Sequence, residues 1–307
     1  MEIHRRNIVF NRGTTLPQRF SIFLNTNNAT NIINGHLTLE KKLFFIRDDG
    51  PIGRELVGRT EVESVEFSEQ EFENFKIEFK RINEAYWSNK FWIIPPDSYD
   101  AFDVIVNVGG VNKIYRPNVK FDLRILYANS ESEADGTFVV HNAWRIAGGQ
   151  RHQLLSHSST MLPVRDGQED LSQAERHRGH LYTYANEPTP GSVWGQTASI
   201  HEFGHTIGED HVGIHLGTPG CHFGDNDDTD ICYQSPTGDT GNIMGGGTMV
   251  EDWNAEPWMF GLDVVLGSQI SRWRLDVNRL GSTGYRFPTP RLIGDAPFYQ
   301  QENLGLF

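Results

Sequence analysis

Eleven consecutive residues constrain this chain more than any others: His201-Glu202-Phe203-Gly204-His205-Thr206-Ile207-Gly208-Glu209-Asp210-His211, a run of the form H-E-x-x-H-x-x-G-x-x-H. Residues four apart on a helix lie one above the other, so a helix through this run turns the imidazoles of His201 and His205 towards one point. A straight helix cannot supply a third ligand from the opposite side. Gly208 can end it, because a residue without Cβ enters positive φ at little cost and lets the chain reverse. His211 then approaches the same point from outside the helix. Three neutral imidazoles suit a zinc ion with its fourth position left to water, and Glu202, next to the first ligand, is placed to act as general base and then as general acid.

This signature is that of the metzincin clan of zinc peptidases, which the chain resembles over residues 196–274. The clan places a methionine-containing tight turn beneath the metal. Asn242-Ile243-Met244-Gly245 is similar to it, with Met244 as the floor under the imidazoles and Met249 as the competing candidate. Gly220, Cys221 and Cys232, the Asn-Ile-Met turn and the helix that follows are similar to pappalysin-like and related bacterial members. Where this chain has Gly246 the clan often has a tyrosine, so the resemblance leaves a developing oxyanion to zinc or to a donor the sequence does not identify.

The resemblance implies an α+β fold. A metzincin-like catalytic domain over 67–307, with a twisted mixed sheet, a zinc-site helix and a Met-turn, is expected after a β-rich N-terminal region over 1–66. The implied cofactor is Zn2+. The implied activity is that of an endopeptidase hydrolysing protein substrates, with a zinc-bound water activated by Glu202 and an extended peptide paired to an edge strand over 137–144. A secreted effector or toxin is the narrower expectation within this reading. The competing one is a non-catalytic binding or adhesion protein that zinc only stabilises.

Composition narrows the partners. A formal net charge of -13 over 307 residues argues against an electrostatic grip on nucleic acid or on an anionic membrane, both of which need clustered Lys and Arg. With 37% hydrophobic and 22% charged residues the chain reads as globular, and no apolar run approaches the roughly 20 residues of a membrane span. Near the N-terminus only Ile8-Val9-Phe10 is apolar, so a signal peptide's apolar segment is missing; the expectation is export by a route without a visible signal, or otherwise a cytoplasmic protein. The sequence leaves the oligomeric state undetermined.

Several residues near the motif carry open readings. Cys221 and Cys232, eleven residues apart, form a local disulfide or remain two buried thiols. The run Asp225-Asn226-Asp227-Asp228-Thr229-Asp230 offers oxygen ligands for Ca2+ but lacks the glycine and final glutamate of an EF-hand loop, which leaves a solvated acidic loop as the other reading. His215 and His222 are not needed as ligands once three positions are filled. Glu209 and Asp210 read as solvated, with one of them available to hold the second N–H of a ligand imidazole.

Periodicity supplies the rest. Alternation predicts strands over 8–10, 19–24, 36–47, 60–67, 90–94, 102–108, 119–127 and 137–144. Phe72, Phe75, Phe79, Ile82 and Tyr86, after the capping box Ser68-x-x-Glu71, predict an amphipathic helix over 68–88. Helices are also expected over 196–208 and 257–277, with irregular structure over 147–194, including a short helix over 170–177, and a surface tail after Asn278.

Overall fold

A computed structural model of the chain describes residues 3–10, 18–25, 34–48, 53–57, 60–147, 149–152, 157–159, 177–183, 185–187, 196–221, 230–233, 241–267, 270–279 and 285–295. Strands β1 (Ile3–Phe10), β2 (Gln18–Asn25) and β3 (Asn34–Asp48) come first, then the hairpin β4 (Gly53–Val57) and β5 (Thr60–Ser64) and helix α1 (Glu69–Trp87). Next follow β6 (Phe91–Ile94), β7 (Val104–Val108), β8 (Val111–Arg116), β9 (Asn118–Tyr127), β10 (Gly136–His141) and β11 (Ala143–Ala147). Short strands β12 (Gln150–His152), β13 (His157–Ser159) and β14 (His177–Tyr182) precede helix α2 (Ala198–Ile207) and the single turns α3 (Val212–His215) and α4 (Asp230–Tyr233). Helix α5 (Glu256–Leu266) and strands β15 (Arg274–Val277) and β16 (Arg291–Asp295) complete the mixed α+β fold.

The main sheet has nine strands, running β13-β14-β10-β3-β9-β6-β15, with β2 on β3 and β1 on β2. It is mixed: β3 is parallel to β9 and β10, and β10 to β14, whereas β2, β6, β13 and β15 run antiparallel to their partners. The 15 residues of β3 organise it. Along one edge it pairs with β9 over Asn34 to Leu43; along the other, β2 takes His36 to Glu40 and β10 takes Leu43 to Asp48. Two strands sharing one edge of a third curl the sheet. Strands β1 to β3, from the stretch expected to be a β-rich N-terminal region, are members of this sheet. Smaller sheets of four strands (β12-β11-β5-β4) and three (β16-β8-β7) stand apart from it.

Alternate residues of β3, Leu37, Leu39, Leu43 and Phe45, are buried, and the helices pack over them. Ser68 caps α1 as the capping box requires, accepting from Glu71 N–H while the Glu71 carboxylate accepts from Ser68 N–H. Three and four residues apart, Phe72, Phe75 and Phe79 then face the sheet, where Phe79 meets Phe45 at 5.2 Å, Phe138 at 5.4 Å and Phe203 of α2 at 6.3 Å. Each such ring contributes about 1.5–3 kcal/mol by leaving water. Helix α5 closes the other end, with Trp258 stacked on Phe121 and its indole N–H donating to the Asp122 carbonyl.

Four expectations need correction. The strand expected over 137–144 is two strands, β10 and β11, and β10 is not an edge: β3 and β14 flank it, and β13 ends the sheet on that side. The helix expected over 257–277 stops at Leu266, because Gly267 takes up φ 69 and its N–H bonds back to Asp263; within the rest of that range the described residues form a 3-10 turn, Ile270–Arg272, and then β15. The stretch read as irregular contains β12, β13 and β14. Past Asn278, β16 pairs with β8 rather than trailing. Of the helix expected over 170–177 only His177 is described, as the first residue of β14, and all of the acidic run but Asp230 also lies outside the described residues.

Candidate metal centre

Helix α2 begins after Thr197 and carries His201, Glu202 and His205. It ends where the motif requires. Gly208 is left-handed, φ 101 and ψ 17, its N–H bonding to the carbonyls of Gly204 and His205, and Glu209 N–H bonds to Gly204. The reversed chain brings His211 back: His201 Nε2 lies 3.2 Å from both His205 Nε2 and His211 Nε2, and the last two are 3.1 Å apart. Among the described residues these three form the one group of at least three His, Cys, Asp or Glu side chains close enough to hold a metal ion.

The protons on the opposite nitrogens decide what this cluster holds. His201 Nδ1 is 2.7 Å from the Ile243 carbonyl and His205 Nδ1 is 2.8 Å from the Glu209 carbonyl. A carbonyl only accepts, so each Nδ1 carries the proton, and in the neutral ring Nε2 then presents a lone pair. Burial drives the His201 imidazole from 6.5 down to about 4, against the pull of the Ile243 carbonyl, so it is neutral near pH 7. Lone pairs of neutral rings about 3 Å apart repel unless a cation lies among them. Ligands about 2.05 Å from an ion at tetrahedral angles stand about 3.3 Å apart, close to the spacing found. The residues therefore fit a metal ion.

Met244 is buried in the turn expected of it. Gly245 N–H closes the turn on the Asn242 carbonyl at 3.0 Å, and the Asn242 side chain accepts from Met244 N–H at 2.8 Å. The thioether packs on Gly204, between the two ligands of α2, and the Met244 carbonyl accepts from Val212 N–H beside the third. The competing Met249 lies against Gly241 and pairs with Ile243 instead. Glu202 is buried on α2, while His215 stacks on Trp253 at 4.2 Å, outside the cluster. His222 lies outside the described residues. The two cysteines are bonded.

Two residues of this centre, Gln196 and Tyr233, escaped the sequence, and for a third, Glu209, the sequence offers both a solvated side chain and a hold on a ligand imidazole, which its carbonyl provides for His205. Glu209 is buried rather than solvated, its carboxylate accepting from Asn254 Nδ2 at 2.9 Å. Gln196, ahead of α2, donates through Nε2 to the carbonyls of Ile243 and Gly245, tying the helix start to the methionine turn. Tyr233 lays its ring 4.1 Å from His211 and 5.5 Å from His201. Its one signal in the sequence is its place next to Cys232, whose partner Cys221 follows the third ligand.

No known protein family, no characterised protein and no solved structure matches this chain. Among the described residues no helix is long and apolar enough to cross a membrane.

Proposed function

We propose that the chain is a metzincin-type zinc endopeptidase with His201, His205 and His211 as ligands and Glu202 as its base. The observation that carries this is the convergence of three imidazole Nε2 atoms at 3.1–3.2 Å, with a buried glutamate next to the first ligand. All-nitrogen ligation by three histidines on a reversed helix favours zinc over magnesium or calcium, which prefer oxygen. Zinc in such a site supplies a Lewis acid that polarises a carbonyl and lowers the pKa of water.

The remaining chemistry belongs to the protein. The Glu202 carboxylate takes a proton from the water that adds to the scissile carbonyl carbon, then returns it to the leaving amine nitrogen as the C–N bond breaks. The carbonyls of Ile243 and Glu209 hold the His201 and His205 rings in the tautomer that keeps both Nε2 atoms unprotonated. Strand β13 ends the main sheet beside α2, and an extended substrate meets the sheet there. The closed Cys221–Cys232 bond favours an oxidising compartment, hence an exported enzyme acting on proteins outside the cell that makes it, as an effector would.

The test is digestion of a peptide library by the purified protein, with and without a chelator, beside Glu202→Gln. Cleavage lost to the chelator, restored by zinc and absent in Glu202→Gln is expected. A folded, zinc-loaded wild type that cleaves no peptide would leave a zinc-stabilised binding protein instead.

A further inference from the structure

Three buried side chains, Glu209, Asn254 and Asn242, link the turn between the second and third histidines to the methionine turn. Asn254 stands in the middle. Its Nδ2 donates to Glu209 Oε2 at 2.9 Å, and its Oδ1 accepts from Asn242 Nδ2 and from Glu251 N–H, both at 2.8 Å. A backbone N–H on one side and a carboxylate on the other leave the amide a single orientation. Asn242 passes the link on, its Oδ1 accepting from Met244 N–H.

Followed outward, the chain of bonds reaches all three histidines. The Glu209 carbonyl holds His205, the Ile243 carbonyl next to Asn242 holds His201, and the Met244 carbonyl takes Val212 N–H, next to His211. We infer that Asn254 is a positioning residue of the metal centre, joining Glu209 to Asn242 so that the three imidazoles are held in register for the ion. This rests on the reading of the histidines as a metal site. A residue that merely filled space would tolerate any side chain of its size. One that transmits hydrogen-bond direction will not.

The direction gives the test. Asn254→Asp is nearly isosteric but replaces the donor with an oxygen facing the Glu209 carboxylate. Pairing it with Glu209→Gln restores one donor and one acceptor, reversed, and leaves the net charge unchanged. Zinc affinity is measured by chelator competition, and ligand geometry by the visible absorption of the cobalt(II)-substituted protein. Expected are a roughly 10–100-fold loss of zinc affinity and an altered cobalt spectrum in Asn254→Asp, with recovery of most of both in the double variant. If Asn254→Asp does not fold, Glu209→Gln alone, which weakens the same bond without adding charge, is expected to lose zinc affinity in the same sense. Wild-type zinc affinity and cobalt spectrum in a folded single variant, or a double variant no better than Asn254→Asp, would overturn the assignment. Wild type that binds neither metal would instead overturn the metal site.

Discussion

Gly204 and Met244 touch with no space between them: a Cβ on Gly204 would stand 2.5 Å from the Met244 sulfur. That glycine lies between the two histidines of α2, so the methionine turn seats directly on the metal helix. Gly204→Ala is expected to cost about 1–3 kcal/mol through overpacking, despite the better helix propensity of alanine. Urea unfolding of Gly204→Ala with and without Met244→Ala checks it. The shortened side chain should recover part of the loss.

Gly208 meets a second neighbour. A Cβ there would lie 2.5 Å from Phe10 Cδ1 of β1, in a backbone conformation, φ 101, that side chains rarely adopt. Gly208→Ala combines a left-handed strain of about 1–2 kcal/mol with that collision. Since the same residue turns His211 back towards α2, the variant is expected to lose zinc affinity as well as stability. Chelator competition on the folded variant reads the first, and urea unfolding the second.

The Cys221–Cys232 bond closes a loop of sequence separation 11 and sets Tyr233 against His211. Chain-entropy arguments give about 3 kcal/mol for a loop of that size. Replacing both cysteines by alanine should lower stability by that order, read as a shift in the denaturation midpoint. A reducing agent should shift the wild type alike and leave the double variant unmoved.

Lys41 lies in the apolar stripe of β3, where its Nζ donates to the carbonyls of Arg19, at 2.7 Å, and Thr206, at 2.5 Å, near the end of α2. Burial lowers its pKa from 10.5 to about 8, against the pull of Asp135. The unfolded chain therefore binds the proton more tightly, and stability gains as pH rises from about 8 towards 10.5, by up to about 3 kcal/mol. Below pH 8 this contribution is flat. The difference in unfolding free energy between wild type and Lys41→Met, measured across that range, isolates it; a difference independent of pH would contradict the shift.

Local chemistry was the legible part. The Ser68 capping box, the stop at Gly208 and the Asn242 turn each depend on residues within a few positions of one another, and the structure has all three. Pairing was not legible. Nothing in the residues of β10 says that β14, some 40 positions later, will cover its free edge, and β14 itself reads as irregular because Arg, Gly and His interrupt its alternation. Glu209 looked solvated because its partner, Asn254, is 45 residues away, and a buried carboxylate is recognisable only once its donor is known. Gly267 was visible in the sequence, but the apolar pattern running on to Trp273 outweighed it.

The most direct test is metal content after reconstitution with zinc and removal of the excess, for wild type, Glu202→Gln and each of His201→Ala, His205→Ala and His211→Ala. One zinc per chain in the wild type and Glu202→Gln, and little or none in the folded histidine variants, is the predicted result. A wild type that retains no zinc, or histidine variants that all retain it fully, would contradict the account.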